Sequence, residues 1–326
     1  MRMPGKSVVG FALVMALACA APQDVPAQVY PSKPIYMVVP FPAGGGTDIV
    51  ARIVASEMSN ELGQPVIVEN KGGANGIIGA QFVAKSAPDG YTIVMSTMGN
   101  FAINPAIYSK MPFSVAKDLE PITQVVSVPL MLVVHPSVPA RTVPEFVAYT
   151  KAQKNPVTYA SSGTGGGPHL AGELFASATG ARILHVPFKG SGPAYTALLG
   201  GQVAADFDSL VQGLQYVRAG RLRALAVLSP KRSELLPDVP TMSEEVPGYD
   251  VTNWYGMMAP TGTPLAIRQR LQQAVVHIMA KSEMQRRLMA EGVEPVASTP
   301  EEFGRFLAHE TERWDAVVKQ AKIELQ

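Results

Sequence analysis

The sequence predicts an α/β fold in which parallel sheets carry helices on both faces. Strand-like and helix-like patterns alternate along much of the chain, and this alternation is typical of parallel sheets. The chain has 326 residues, of which 47% are hydrophobic and 16% are charged. That length and composition are sufficient for two domains with separate cores.

The first block of the chain predicts three strands and two helices. Apolar runs predict strands at 35–41, 66–69 and 91–96, and amphipathic patterns predict helices at 48–61 and 76–86. The expected order is therefore strand, helix, strand, helix, strand.

The middle of the chain continues this alternation. A stretch rich in β-branched residues at 125–135 predicts a long strand, and Thr142 with Glu145 forms a capping box that begins a helix. The elements expected next are strands at 157–161, 182–188, 203–207 and 222–228, and helices at 168–179 and 192–200.

The last third of the chain is predicted to be helical. One helix is expected to begin after Thr263, a second to be capped by Ser282, and a third to be capped by Thr299 and to reach about Lys322.

The N-terminus has the organisation of a secretory signal peptide. Basic residues precede an apolar run at 8–21, and a small-residue site follows, which predicts that residues 1–27 are removed after Ala27. The run is too short to span a bilayer, so we expect an exported, soluble mature chain. The only cysteine, Cys19, lies in the signal, so no disulfide is expected; lipidation of Cys19 is the alternative. These features predict a bacterial periplasmic protein.

The charge balance argues against a nucleic-acid partner. Twenty-seven Lys and Arg residues stand against 26 Asp and Glu residues, which gives a net charge of +1. No basic face or acidic tail is present in the sequence, so binding to nucleic acid is not expected.

Two glycine-rich loops follow predicted strands and lead into predicted helices. The first contains Gly44, Gly45 and Gly46, and the second contains residues 163–167 followed by Pro168. The first turn of a helix presents backbone N–H groups and a partial positive charge, and glycine lets a ligand approach the backbone closely. The two loops therefore predict a site that holds one anionic molecule from opposite sides.

The motifs of other functions are missing from the sequence. Neither loop matches GxGxxG or GxxxxGK[ST], which argues against a nucleotide, and no GxSxG, HExxH or cysteine nucleophile is present. The alternative that the glycines only form tight turns remains open. His169 and Glu173 are expected to form a helical ion pair or a cap near the loop rather than a metal site. Of Asp206 and Asp208, one is expected to face a polar pocket and the other a solvated strand end.

Four separated blocks of the sequence have unusual residue choices: "YPSKPIYMVVPFPAGGGTDIVARIVASEM", "NKGGANGIIGAQFVAKSAPDGYTIVMST", "VPFKGSGPAYTALLGGQVAADFDSL" and "LPDVPTMSEEVPGYDVTNWYGMMAPTGTP". In these blocks the chain resembles the Bug family, the substrate-binding proteins of tripartite tricarboxylate transporters. The resemblance covers nearly the whole mature chain in order.

The resemblance implies a two-lobed Venus-flytrap fold of the periplasmic binding proteins (type II-like), with two crossing strands. The crossings are expected near 124–134 and 251–258. Residues 28–125 and 252–326 would form lobe 1, and residues 126–251 would form lobe 2.

The resemblance also implies which residues bind the ligand, with Asp48 expected to act as a helix N-cap. In the first lobe these are Phe41, Ala43, Gly44, Gly45, Gly46, Thr47 and Asp48; in the second they are Ser161, Ser162, Gly163, Thr164, Gly165 and His169. The rest of the ligand is expected to meet Met98, Gly99, Asn100, Lys189 and Asp208. Ala204 stands where the family often has an acidic residue, which removes that guide to ligand choice.

The implied function is that of a periplasmic receptor, not an enzyme. It would bind a small organic carboxylate (a di- or tricarboxylate, an amino acid or an aromatic acid) as a monomer, without cofactor or metal. It would deliver the acid to the membrane subunits of a tripartite tricarboxylate transporter. A sensor for a membrane kinase is the alternative, and a secreted α/β enzyme is a third.

Overall fold

Strands and helices alternate in the computed structural model, which describes residue 1 and residues 30–320. Apart from Met1, the expected signal peptide lies outside the described residues. The strands in chain order are β1 (Ile35–Val39), β2 (Val66–Asn70), β3 (Thr92–Thr97), β4 (Leu119–Pro129), β5 (Met131–Val134), β6 (Val157–Ser161), β7 (Ile183–Pro187), β8 (Ala205–Asp206), β9 (Arg223–Val227), β10 (Thr252–Pro260) and β11 (Glu294–Pro295).

The helices lie between the strands and beyond the last long strand. A 3₁₀ turn at Ala74–Gly76 and a π-helical turn at Gly99–Ile103 supplement them. The α-helices are α1 (Gly46–Leu62), α2 (Ile77–Ala84), α3 (Asn104–Ile107), α4 (Val115–Asp118), α5 (Val143–Ala152), α6 (Gly167–Thr179), α7 (Ser191–Leu199), α8 (Leu210–Arg218), α9 (Met242–Glu245), α10 (Leu265–Ala280), α11 (Ser282–Ala290) and α12 (Pro300–Gln320).

The strands of residues 30–320 form two mixed sheets. The first has the order β11-β4-β10-β3-β1-β2, and the second has the order β7-β6-β8-β5-β9. In the first sheet β1 runs parallel to β2 and β3, and β10 runs antiparallel to β3 and β4. In the second sheet β6 runs parallel to β7 and β8, and β5 runs antiparallel to β8 and β9.

The expectation of purely parallel sheets is wrong for the strands that carry the chain between the sheets. The chain leaves the first sheet at Pro129 and enters the second at Met131; it returns at Val251, whose N–H donates to the Leu228 carbonyl at 3.2 Å. The strands β5 and β10 each enter their sheet at the edge where its parallel strands have their carboxyl ends. They therefore run antiparallel to those strands. The single strand expected at 125–135 is therefore split at Leu130.

Most of the predicted helix ends are confirmed. Gly63 and Gly180 end α1 and α6 in the left-handed conformation, and Thr299 forms a capping box with Glu302 before α12. Ser282, however, is the first residue of α11 and not its cap, because Lys281 alone separates that helix from α10. The sequence patterns also missed α8 completely.

A buried carboxylate fixes the last helix to the returning strand. Glu310 of α12 is 3% exposed, and its Oε2 accepts hydrogen bonds from the indole N–H groups of Trp254 at 3.1 Å and Trp314 at 3.2 Å. Its Oε1 receives Arg313 Nη1 at 3.1 Å. Trp254 also packs edge-on against Phe303. The clamp fixes β10 next to the site, because Trp254 is flanked along the strand by two residues that line the cavity described below.

We predict that Glu310→Ala destabilises the protein without changing its topology. The substitution leaves two buried indole N–H groups without an acceptor, and a hydrogen bond to a charged group is worth about 1.5–3 kcal/mol. Urea denaturation should show that the free energy of unfolding falls by about 3 kcal/mol. Glu312→Ala, on the exposed side of the same helix, is the control and should change it by less than about 0.5 kcal/mol. Equal denaturation midpoints for the two variants would contradict the clamp.

Candidate functional site

A small cavity lies where loops from the two sheets face each other. Its volume is about 60 Å³. It is lined by residues at the ends of strands in both sheets and at the starts of the helices that follow them. In open α/β sheets, ligands bind outside the carboxyl ends of the strands, which is where this cavity lies.

The first glycine loop is held in shape by Asp48. Gly44 has a φ of +81°, Gly45 is the N-cap, and α1 begins at Gly46. Asp48 Oδ2 accepts from the Gly44 N–H at 2.9 Å and from Arg52 Nε at 3.0 Å. Asp48 is therefore not the N-cap that was expected, because it lies in the first helical turn and bonds backward to the loop.

Asp48 is ionised although it is only 3% exposed. Burial opposes ionisation, but hydrogen bonds from Arg52, the Gly44 N–H and Asn70 outweigh it, so the pKa of the Asp48 carboxyl lies below its ordinary value. Asn70 Nδ2 donates to Asp48 Oδ1 at 2.9 Å and to the Phe41 carbonyl at 3.1 Å. The network thus ties the end of β1 to the start of α1.

The second glycine loop repeats the first with different chemistry. Gly165 also has a φ of +81°, Gly166 is the N-cap, and α6 begins at Gly167. His169 Nδ1 accepts from the Gly165 N–H at 3.1 Å. In this register Gly165 corresponds to Gly44 and His169 to Asp48.

His169 is a buried neutral imidazole. It stacks on His185 with ring centroids 4.0 Å apart, and His185 Nε2 lies 2.6 Å from Ser161 Oγ. Burial lowers the pKa of His169 to about 4, and burial together with the neighbouring His169 lowers the pKa of His185 to about 3. The expected ion pair with Glu173 is long, at 3.9 Å, and that carboxylate instead accepts from the Tyr159 hydroxyl at 2.7 Å.

Two further helices begin at the cavity. Gly190 is the N-cap of α7, and Ser209 caps α8 by accepting from the Val211 N–H at 3.2 Å. Helices α1, α6, α7 and α8 therefore direct their N-terminal ends, each with a partial positive charge, at one small volume. This arrangement favours a bound anion.

Residues from the two sheets approach each other closely around the cavity. A Cβ at Gly46 would lie 3.1 Å from the hydroxyl of Tyr255, on the same sheet, and 3.3 Å from Ser209 Oγ, which follows β8 of the other sheet, so a larger residue at position 46 would make a tight contact across the cavity. A Cβ at Gly99 would lie 3.1 Å from the Gly166 Cα. The loops are thus in contact across the site.

Only part of the sequence-predicted set lines the cavity. Phe41, Ala43, Gly45, Gly46, Thr47, Ser162 and Asp208 line it. The other predicted residues support the loops or lie away from the cavity, and as ligand contacts they stay predictions: Gly44, Asp48, Met98, Gly99, Asn100, Ser161, Gly163, Thr164, Gly165, His169 and Lys189.

Several of these supporting residues have clear structural partners. Asn100 is buried and donates through Nδ2 to the Asn75 carbonyl at 3.2 Å. The Thr164 carbonyl accepts from the Tyr108 hydroxyl at 3.4 Å, and Met98 is fully buried. Lys189 is exposed.

Sequence reasoning missed more than half of the lining. The missed residues are Pro42, Asn75, Thr97, Gly166, Gly167, Pro168, Gly190, Ser191, Gly192, Pro193, Ser209, Asn253 and Tyr255. The residues 190–193 carried a usable signal, because glycines again separate a strand from a helix there. Tyr255 and Asn253 had none, since their position depends on the pairing of β10.

The ionisable groups of the lining are unusual for an anion site. Among the described lining residues there is no Lys, Arg or His, and Asp208 is the one carboxyl group. Asp208 faces this polar cavity as one of the two aspartates was expected to do, but Asp206 is fully buried, so neither lies at a solvated strand end. Within residues 30–320, no group of His, Cys, Asp and Glu residues has the arrangement needed to hold a metal ion.

We predict that His169 makes the fold sensitive to acid. The unfolded imidazole binds a proton near its ordinary pKa of 6.5 and the folded one only near 4, so stability is full above pH 6.5 and falls as the pH drops toward 4. The loss attributable to His169 is about 3 kcal/mol.

The test compares wild type with His169→Asn, in which the amide oxygen still accepts the Gly165 N–H but does not titrate. Urea denaturation at pH 7 and pH 4 should show a smaller loss of stability in the variant. Contributions from groups that do not contact His169, including Asp48, are common to both proteins, whereas His185 stacks on His169 and its contribution changes with the substitution. Parallel losses in the two proteins would contradict the assignment.

Comparisons with known proteins agree with this geometry. The model of the "Tripartite tricarboxylate transporter family receptor" (TctC) matches residues 50–323. BugT of Bordetella pertussis is 40% identical over 98% of each chain. The structure of the periplasmic binding protein BugD is 37% identical with a TM-score of 0.87, covering 91% of this chain and 100% of that one. The R. palustris protein Rpa4515, solved with adipate, is 35% identical with a TM-score of 0.89 and the same coverage.

These matches confirm the expected two-lobed periplasmic binding protein fold, and they connect the chain with receptors rather than with enzymes. No helix within residues 30–320 has the length and apolar character needed to cross a membrane. The family model covers most of the chain and BugT almost all of it. The chain therefore belongs to the TctC family of tripartite tricarboxylate transporter receptors, which includes the Bug proteins.

Proposed function

We propose that this chain is a periplasmic receptor that binds a small organic carboxylate and delivers it to the membrane subunits of a tripartite tricarboxylate transporter. The observation that carries the proposal is the convergence of the N-terminal ends of α1, α6, α7 and α8 on one cavity. The adipate in the similar protein Rpa4515 supports a carboxylate as ligand.

Backbone groups would hold the carboxylate. Glycine N-caps precede α1, α6 and α7, and no side chain of the described residues caps these helices. The first N–H groups of a helix have no partner within the helix, so an anion in the cavity can act as their acceptor. Hydroxyl groups of Thr47, Ser162 and Ser209 add donors on both sides.

The ligand would also hold the lobes together. We propose that residues 28–125 with 252–326, and residues 126–251, move as separate lobes connected near Leu130 and Val251. A molecule that contacts both glycine loops favours the closed arrangement by its differential affinity for it. The cavity is small and contacted from both sheets, as such closure requires.

The location of the protein follows from its N-terminus. If residues 1–27 are a signal peptide, the mature chain begins at Gln28 and is recovered in the periplasmic fraction. Intact-mass measurement of the exported protein is expected to give the mass of residues 28–326. An uncleaved chain, or a lipid on Cys19, would contradict this prediction.

We predict that blocking either side of the cavity abolishes binding. Gly45 has a φ of −78°, and a Cβ there would meet only the Pro42 carbonyl, at 3.6 Å; a Cβ at Gly192 would meet nothing within 4 Å. Gly45→Val and Gly192→Val are therefore expected to fold, and because both glycines line the cavity, the added side chains should reduce the space for the ligand. Each should weaken binding by more than about 100-fold, because two or more charge-assisted hydrogen bonds are lost.

The measurement is a thermal-shift screen of carboxylic acids, including adipate, succinate and malate, followed by calorimetry with the acid that raises Tm most. Gly304→Ala on α12 is the control, because its Cβ would make an ordinary contact with Pro121 far from the loops. It should bind like wild type. A folded Gly45→Val protein with wild-type affinity would place the acid elsewhere.

A further inference from the structure

We propose that the site selects carboxylic acids that also carry an ammonium group, such as amino acids, and that Asp208 receives this group. This inference rests on the proposed function, since it names the class of acid that the same cavity would bind. It is carried by the position, burial and missing partners of two neighbouring carboxyl groups.

Asp208 places an unpaired carboxylate oxygen at the cavity. The residue lines the cavity and is 3% exposed. Its Oδ1 accepts the Ser209 N–H at 2.6 Å, but its Oδ2 has no hydrogen-bond partner among the described residues. The Ser191 side chain lies close enough to favour the ionised form, yet it makes no hydrogen bond of acceptable geometry with Oδ2. A buried oxygen of this kind calls for a donor from the ligand.

Asp206 adds a second negative group behind the first. It lies two residues earlier in the chain, at the end of strand β8. It is fully buried, and among the described residues neither of its oxygens has a hydrogen-bond partner of acceptable geometry, although the nearby Phe207 N–H favours its ionised form. The hydroxyl of Tyr195 on α7 donates to the Ser209 carbonyl at 3.3 Å, and after burial itself the charges of Asp208 and Asp206 raise the pKa of that hydroxyl.

The charges of the cavity explain why the ligand must bring a cation. The described lining contains no Lys, Arg or His that could neutralise Asp208. A simple dicarboxylate would add two negative charges beside Asp208 and Asp206, which is unfavourable at low dielectric. An amino acid places its carboxylate at the helix N-termini and its ammonium group at Asp208. Both charged groups of the ligand then have a partner of opposite charge or partial charge.

The burial of Asp208 and Asp206 supports the same conclusion. Desolvation raises the pKa of Asp208, and desolvation together with the Asp208 charge raises the pKa of Asp206. Without a cation nearby, ionisation of both Asp206 and Asp208 is therefore unfavourable. A ligand ammonium group would make their ionisation more favourable. The competing arrangement is a protonated Asp208 that donates to the ligand carboxylate, and the experiment separates the two.

The experiment measures binding of matched acids to wild type and Asp208→Asn by calorimetry. The pairs are L-aspartate with succinate, L-glutamate with glutarate, and L-alanine with propionate. Wild type should bind at least one amino acid more than about 10-fold tighter than its deaminated partner. Asp208→Asn should weaken that amino acid by roughly 10- to 100-fold and leave the deaminated acid unchanged or tighter. Asn keeps the acceptor for the Ser209 N–H, so the variant is expected to fold.

Controls and outcomes distinguish this inference from the proposed function. Asp238→Asn removes an exposed carboxylate and should bind like wild type. Asp206→Asn should show a smaller loss than Asp208→Asn. If every amino acid that binds is matched in affinity by its deaminated partner, or if Asp208→Asn binds the preferred amino acid as tightly as wild type does, the inference is overturned and the receptor function is left standing. A folded wild type that binds neither class overturns both.

Discussion

The site depends on buried helix N-termini that the protein leaves without side-chain caps. Helices α1, α6 and α7 begin after glycines, and no side chain in the described residues accepts from their first N–H groups. Unsatisfied donors away from water are costly, and other helices in the described residues, such as α5 and α12, begin at a capping residue, Thr142 or Thr299. Where caps are missing, an anionic ligand can complete the hydrogen bonding.

Such loops need support from behind, and the two loops obtain it differently. Asp48 is charged and accepts hydrogen bonds from Arg52, Asn70 and the Gly44 N–H. His169 is neutral, stacks on His185, and accepts a hydrogen bond from the Gly165 N–H. Both place one acceptor a helical turn after a left-handed glycine, so the same loop geometry results. The common requirement is an acceptor at that position, and its charge is set by the surroundings.

The parts of the fold that were predictable are those with local causes. The ends of α1 and α6 follow from left-handed glycines, and the start of α5 follows from Thr142. The antiparallel strands β5 and β10 were not predictable, because their direction depends on the passage between sheets. In the site, the equivalence of Asp48 and His169 was hidden by their different chemistry. Tyr255 reaches the cavity only through long-range pairing, and the sequence did not show that both Asp206 and Asp208 are buried.

The two parts of the site would recognise different parts of the ligand. Under the proposed function, backbone N–H groups at the helix starts would bind any carboxylate, because their geometry comes from the loop and not from a side chain. Discrimination between acids must then come from side chains deeper in the cavity, where Asp208 and Tyr255 lie beside α8 and β10. The Glu310 clamp fixes the strand that carries Tyr255, whereas Asp208 precedes a helix that begins at the cavity itself. A change of ligand class can therefore arise by substitution around Asp208 without disturbing the loops that hold the common carboxylate.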